Sequence, residues 1–223
     1  MTYARNRSLR SGRRWRRVVL GLLVATTALM AIPRTRVATF RSLGRALVVN
    51  DPVTTADAIV ISVDADSAGV LEAADMVRNG ISNTVAVFAE PPGTSRLEFQ
   101  RRGIRYDDDA SRALVELESL GVKNPIRIPT PVDGTTAEGR VLSAWVNERG
   151  LRSVVMITTA DHARRTRRVL RRALKEQQTR LAVRASRYSD FEPDAWWVTR
   201  TGIRTEIIEL QKLLLDIVTH PLP

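Results

Sequence analysis

The sequence predicts an α/β domain of three layers, with a mostly parallel sheet of about five strands, preceded by one N-terminal transmembrane helix. Three observations lead there. Short β-branched runs alternate with helical stretches from residue 56 onward, the pattern of a parallel sheet with helices on both faces. Three of the helical stretches close on a glycine, at Gly80, Gly121 and Gly150, as helix C-termini favour. An uncharged run at 18–32 follows an arginine-rich start.

That run, VVLGLLVATTALMAI, is 15 residues long, short of the roughly 20 that cross a bilayer. Trp15 and Pro33 extend it to both interfaces, and the flanking arginines can snorkel. A cleaved signal peptide shares the pattern, but no A-x-A site follows and Ile32-Pro33-Arg34 is a poor cleavage context. Seven Arg precede the run and four follow it before residue 46. The positive-inside bias then keeps the larger cluster in the cytoplasm. Residues 1–17 read as a cytoplasmic tail, 18–33 as the anchor and 34–54 as a linker. Residues 55–218 read as an extracytoplasmic domain on a single-pass inner-membrane protein.

Within that domain, residues 58–63 (AIVISV) read as a buried parallel strand. Residues 68–79 read as a helix with Val70, Ala73, Ala74 and Val77 on one side. A second strand covers 84–88, and a loop rich in Pro, Gly and Arg covers 91–107. A helix at 110–120, a short strand at 126–128 and a helix at 135–149 follow. Residues 153–158 (SVVMIT) form the fourth strand, 164–175 the fourth helix, 181–185 the fifth strand and 201–218 the last helix. Ligands of such sheets bind beyond the carboxyl ends of the strands, which directs attention to 62–68, 88–95, 129–136 and 158–165.

The net charge of +11 invites a nucleic-acid reading, and its position argues against one. Eleven of the 35 Lys and Arg lie in residues 1–45, which hold no Asp or Glu; the remaining 24 are matched by all 24 acidic residues. A nucleic-acid domain carries its basic footprint on the folded part. The absence of cysteine excludes disulfides, thiolate metal sites and a Cys nucleophile.

The chemistry concentrates in Thr158-Thr159-Ala160-Asp161-His162-Ala163-Arg164-Arg165, where the fourth strand gives way to a helix. Free backbone N–H groups there favour an anion, and His162 and Arg165, three apart, can face one ligand. Alone, His162 reads more readily as a capping or surface histidine than as a functional one. Thr135-Thr136-Ala137-Glu138 follows the third strand as a helix cap, and it brings Glu138 to the sheet edge where a carboxylate can orient His162. Asp64 and Asp66 follow the first strand, as solvated loop acids or as oxygen ligands for a divalent metal; the solvated reading is preferred and no metal site is assigned. Asp107-Asp108-Asp109 reads as a solvated helix N-cap. Six arginines between 164 and 172 form a basic helix, read as an exposed face or as a contact for anionic lipid.

Together these pieces resemble the YdcF-like family (domain of unknown function 218), which includes SanA- and ElyC-type membrane-anchored envelope proteins. The resemblance covers about residues 55–218. Asp57-Ala58-Ile59-Val60 is similar to the opening D-A-I-V strand and Gly121-Val122 to the L-G-V after the second helix. Thr136-Ala137-Glu138 is similar to the T-x-E of N-T-x-E-N, and residues 158–165 to T-S-x-Y-H-x-x-R. Trp197, Glu209 and Lys212 resemble the C-terminal W…E-x-x-K region. The resemblance implies a Rossmann-like fold and a role in cell-envelope biogenesis or barrier function; it supplies no cofactor and no reaction. Two glycine-rich turns of the family are replaced here by Val63-Asp64-Ala65 and Ala89-Glu90-Pro91, which narrows or reshapes that half of the site.

Two functions fit this reading. In one, the domain binds, and in an active member processes, a phosphorylated or other anionic small molecule or a lipid-linked envelope metabolite. Thr158, Thr159, Thr136 and Asp64 then line the site and Arg165 pairs with the anion. His162 is the general acid or base, oriented by Glu138. In the other, a non-catalytic domain docks onto membrane-protein partners. An open pocket lined by His162, Arg165 and Glu138 favours the first, and one plugged by Asp64, Glu90 or Pro91 the second. Because residues 46–223 are neutral, they are expected to bind duplex DNA no better than a neutral protein at physiological salt, as read by fluorescence anisotropy. Submicromolar affinity there defeats the charge argument.

Overall fold

Five short runs pair edge to edge; the three central ones are apolar and buried on both faces, as parallel strands between helices are, and the two edge runs are only partly buried. They are β1 (Ala58–Ile61), β2 (Val85–Val87), β3 (Ile126–Arg127), β4 (Ser153–Thr158) and β5 (Arg180–Ala185). All neighbours are parallel, in the order β3-β2-β1-β4-β5. This is the doubly wound, Rossmann-like order, and its switch point falls between β1 and β4. Ile61 pairs with Ile157 there, so the two strands end side by side.

The computed structural model describes residues 15, 17, 19–21, 27, 31–104 and 107–221. The arginine-rich tail at 1–17 and the expected anchor at 18–33 lie mostly outside the described residues. Among the described residues no helix is long and apolar enough to cross a membrane. The chain divides into two compact units, Met1–Leu43 and Gly44–Pro223, and the sheet belongs wholly to the second.

The helices are α1 (Pro33–Leu47), α2 (Asp66–Arg78), α3 (Thr94–Arg101), α4 (Asp109–Ser119), α5 (Gly134–Glu148), α6 (Ala163–Ala173) and α7 (Arg200–Thr219). In the second unit, α2 packs on α4, and α5 packs on α6, which packs on α7. Right-handed crossovers place these two groups on opposite faces of the sheet. Leu142, Met156, Ile157 and Leu170 are fully buried between sheet and helices. Gly80 and Gly121 adopt φ of +74° and +89° just past α2 and α4, a conformation that spares a side chain strain.

Two stretches differ from expectation. The stretch expected as a linker at 34–54 is helical to Leu47, and the expected loop at 91–107 contains α3. Helix α3 buries no residue at all, so periodicity carried no signal of it, and α1 buries only Gly44 and Leu47 near its end. Residues 49–51 then run along the edge of β5. Asp51 N donates to Val183 O at 2.9 Å, and Asn50 Oδ1 and Asp51 Oδ2 accept from Ala185 N and Val183 N. These contacts cover an edge that would otherwise expose unpaired groups.

Gly44, near the end of α1, is buried against the 193–196 turn. A Cβ there would meet the Pro193 carbonyl oxygen and Trp196 Cδ1, the latter at 2.7 Å. Alanine ordinarily gains about 0.5–1 kcal/mol over glycine in a helix, whereas overpacking costs about 1–3 kcal/mol. The clash therefore wins: Gly44→Ala is expected to lower the melting temperature by several degrees, followed by Trp fluorescence. A gain in stability would place Gly44 away from this turn.

Candidate ligand site at the switch point of the sheet

β4 ends at Thr158, and the chain turns through Asp161 so that His162 stands at the start of α6. β1 ends opposite, in a short 3₁₀ turn, Val63–Ala65, that carries Asp64. His162 Nδ1 lies 3.0 Å from Asp64 Oδ2. Its Nε2 lies 3.1 Å from Glu209 Oε1 on α7 and 3.4 Å from Asp161 Oδ2. Arg165, in the first turn of α6, meets Glu209 Oε2 at 3.1 Å and donates to Thr135 Oγ1 at 2.9 Å. Lys212 donates to Glu209 Oε1 at 2.7 Å. Glu209 is thus a buried carboxylate shared by His162, Arg165 and Lys212.

The electrostatics follow from that sharing. Burial favours neutral imidazole, but the contacts with Asp64 and Glu209 outweigh it and raise His162 to about 10. Burial likewise opposes charge on Glu209, yet His162, Lys212 and Arg165 hold it at about 2. Asp64 is also held below its ordinary value, with His162 and Arg165 overcoming its burial. At neutral pH His162 is therefore an imidazolium with carboxylates at both ring nitrogens. It can donate and position, but it is not a free base.

Glu138 does not orient His162. Its Oε1 accepts from Ser62 Oγ at 2.7 Å and from Val63 N at 2.9 Å, tying α5 to the turn after β1. Burial raises its pKa, and it occupies the backbone N–H that an anion at the end of β1 would use. The expected helix cap at 135–138 also differs: α5 starts at Gly134, and its N-cap Asp133 makes no side-chain capping bond. Thr136 is exposed, and its neighbour Thr135 is the residue that reaches Arg165. The Thr158 and Thr159 hydroxyls are buried without a partner among the described residues. Asp108 does cap α4, accepting from Ser111 N at 2.8 Å, but it is gripped by Arg127 rather than solvated, and that pairing drives its pKa far down.

The basic helix is not a free face. Arg164 donates to the Ala46 and Val48 carbonyls, Arg167 pairs with Asp51, and Arg168 and Arg172 pair with Asp216. These pairings remove the arginines expected to meet lipid; Arg171 alone of the six is exposed.

An open cleft of ≈770 Å³ lies against this cluster. Asp64, Asp66, Asp161, Asp190 and Glu192 line it with His162, beside the aromatic side chains of Tyr188, Phe191 and Trp196; no Lys or Arg does. Arg165 and Glu138 sit behind it. Between the ends of β1 and β2, beside Val63 and Glu90, lies a hollow of only ≈160 Å³. Asp66, at its edge, takes a φ of +40°, a conformation that strains a side chain. Among the described residues no group of three or more His, Cys, Asp or Glu is placed to hold a metal ion.

Glu209, Asp161 and Thr135 were not singled out as site residues from sequence. A signal existed for one of them. Glu206, Glu209 and Leu213 share the inward side of α7, and two acids on a face with a buried leucine call for buried cations nearby. Glu206 itself is fully buried, neither oxygen has a partner among the described residues, and burial with Asp161 raises it to about 7.

No family model matches the sequence, and no curated protein matches it.

The imidazolium carries a pH signature. Its folded value of about 10 lies above the ordinary 6.5, so its stabilisation is complete below pH 6.5 and lost as pH climbs through about 10. Glu209, held at about 2 against an ordinary 4.5, contributes fully above pH 4.5 and loses its share as pH falls toward 2. The cluster is at full strength between those limits. In proton NMR the His162 ring signal is expected to stay in its protonated position from pH 5 to pH 8, and Asp64→Asn to bring its midpoint down by a unit or more. A midpoint near 6.5 in the unaltered chain contradicts the clamped cation.

Proposed function

We propose that this chain is a membrane-tethered, extracytoplasmic domain that binds a small polar molecule in the cleft at the β1–β4 switch point, without base catalysis by His162. The observation that carries the reading is the imidazolium held between Asp64 and Glu209 at the place where doubly wound sheets receive ligands. The apolar run at 18–32, the arginines before it and the neutral charge of residues 46–223 support the tether and its direction.

The lining favours a neutral or cationic ligand. A unit negative charge about 6 Å from one carboxylate is repelled by about 3 kcal/mol at an effective dielectric of 20, and five carboxylates line the cleft. The cations that would answer an anion, His162 and Arg165, are already paired. Carboxylates only accept hydrogen bonds, so the ligand must supply donors. A hydroxyl-rich or amine-bearing envelope metabolite fits the cleft better than the phosphorylated one that the motif at 158–165 suggests. The role is binding and positioning, because an imidazole at about pKa 10 is mostly unable to take a proton at neutral pH.

Thermal-shift measurements on the full chain, with paired sugars and amino sugars and their phosphate esters, separate these chemistries. The unphosphorylated compounds are expected to raise the melting temperature by a few degrees at concentrations well above Kd. Asp161→Asn and His162→Gln are expected to cancel the shift. A shift by the phosphate esters alone restores the anion reading. A reporter active only outside the cytoplasm, fused after residue 223, is expected to be active; activity from a cytoplasmic reporter instead reverses the topology.

A further inference from the structure

The outward side of α7 is apolar and uncovered. Leu214, Leu215 and Val218 are 59%, 65% and 77% exposed, and the exposed Ile207 and Ile208 join them. An apolar surface of this extent on a folded domain marks an interaction face. The charges on the same helix are sorted. Its three carboxylates face inward: Glu206 and Glu209 are buried, and Asp216 is bound by Arg168 and Arg172. Beside the aliphatic residues, at the start of the helix, stand the exposed Arg200 and Arg204, which meet no carboxylate among the described residues.

We propose that α7 lies on the surface of the tethering membrane, with its aliphatic residues at the headgroup boundary and Arg200 and Arg204 on anionic phospholipid headgroups. The proposal rests on the membrane tether proposed above. Two observations select lipid over other occupants. The first is charge: the outward face has no acid, so a second copy laid against it brings arginines and no partner for them, whereas an anionic headgroup layer supplies one. The second is reach. The apolar run ends at Ile32, and the chain is fixed to the domain at Gly44, which packs on Pro193 and Trp196 just before α7 begins. Twelve residues span at most about 40 Å even when fully extended, so the start of α7 cannot stand far from the bilayer.

The chain has no cysteine, which makes single-site labelling clean. Leu214→Cys and Val218→Cys carry an environment-sensitive fluorophore on full-length protein in phosphatidylglycerol/phosphatidylcholine vesicles. Glu118→Cys, exposed on α4 across the sheet, is the control. Spin-labelled lipid is expected to quench the two α7 probes and not the control, and less so in phosphatidylcholine alone. Arg200→Gln with Arg204→Gln is expected to lower the docked-to-free ratio about 30-fold, as each basic residue near an anionic surface contributes about 1 kcal/mol and 1.36 kcal/mol is tenfold.

Probes that remain in water in both vesicle types overturn the proposal. Dimers cross-linked through Leu214→Cys, with no lipid quenching, overturn it in favour of a second copy. Protection without either signal points to a protein partner and overturns it as well. Carbonate-resistant association of the unlabelled chain with vesicles reads the tether separately. If that association is lost while lipid quenching at Leu214 persists, the tether reading fails and the docking face stands. If both are lost, both fail.

Discussion

Glu209 is a carboxylate with almost no exposure to water, and three cations from two helices converge on it. Arg165 and His162 come from the first turn of α6, and Lys212 from one turn further along α7. Through Arg165 the same carboxylate reaches Thr135 at the start of α5. Removing it would strand two largely buried cations, a loss of about 3–5 kcal/mol for a broken buried pair. Together with Asp216, which Arg168 and Arg172 hold further along the same two helices, it ties α7 to α6, and with Asp64 it orients His162. It also explains why α7, coming after the last strand, belongs to the site at all.

The same arrangement sets what the site can do. An imidazole between Asp64 and Glu209 keeps its proton, and a guanidinium shared by Glu209 and Thr135 has little left to offer a ligand. Glu138 takes the Val63 N–H that would otherwise await an anion. The charged residues that together look like phosphate chemistry thus meet charged or polar neighbours, the Thr158 and Thr159 hydroxyls have no partner among the described residues, and the cleft in front of them is acidic. Pairing of this kind favours a fixed geometry over proton transfer, since each partner lowers the free energy of the charged state it faces.

The sorting of charge on α7 extends the logic outward. Acids turned inward neutralise α6, which leaves the outer side of α7 to Arg200, Arg204 and aliphatic residues. An arginine-rich helix that looks like a surface for anions is internally neutral, while a helix with three acids presents the basic and apolar face. Sequence counts alone assign the two helices the other way round.

By itself the sequence determined the alternation of strands and helices, the parallel sheet and the confinement of excess charge to residues 1–45. Each depends on local periodicity or on composition, and both survive folding unchanged. The β4 strand at 153–158 matches its expected bounds residue for residue, because six consecutive residues of that run carry one signal. Only the tertiary structure decided who pairs with whom. Asp64, expected only to line the site, also stands at His162 where Glu138 was expected, and Glu209 entered from 44 residues beyond Arg165. Thr135 took the place expected of Thr136. A helix turns each successive residue by about 100°, so one position along α5 separates a buried hydroxyl from an exposed one. Helix α3 and the helical part of 34–54 escaped notice for the converse reason, since helices that bury little have little pattern to read. Partnerships between buried charges depend on angles and distances across the fold, and no spacing along the chain encodes them.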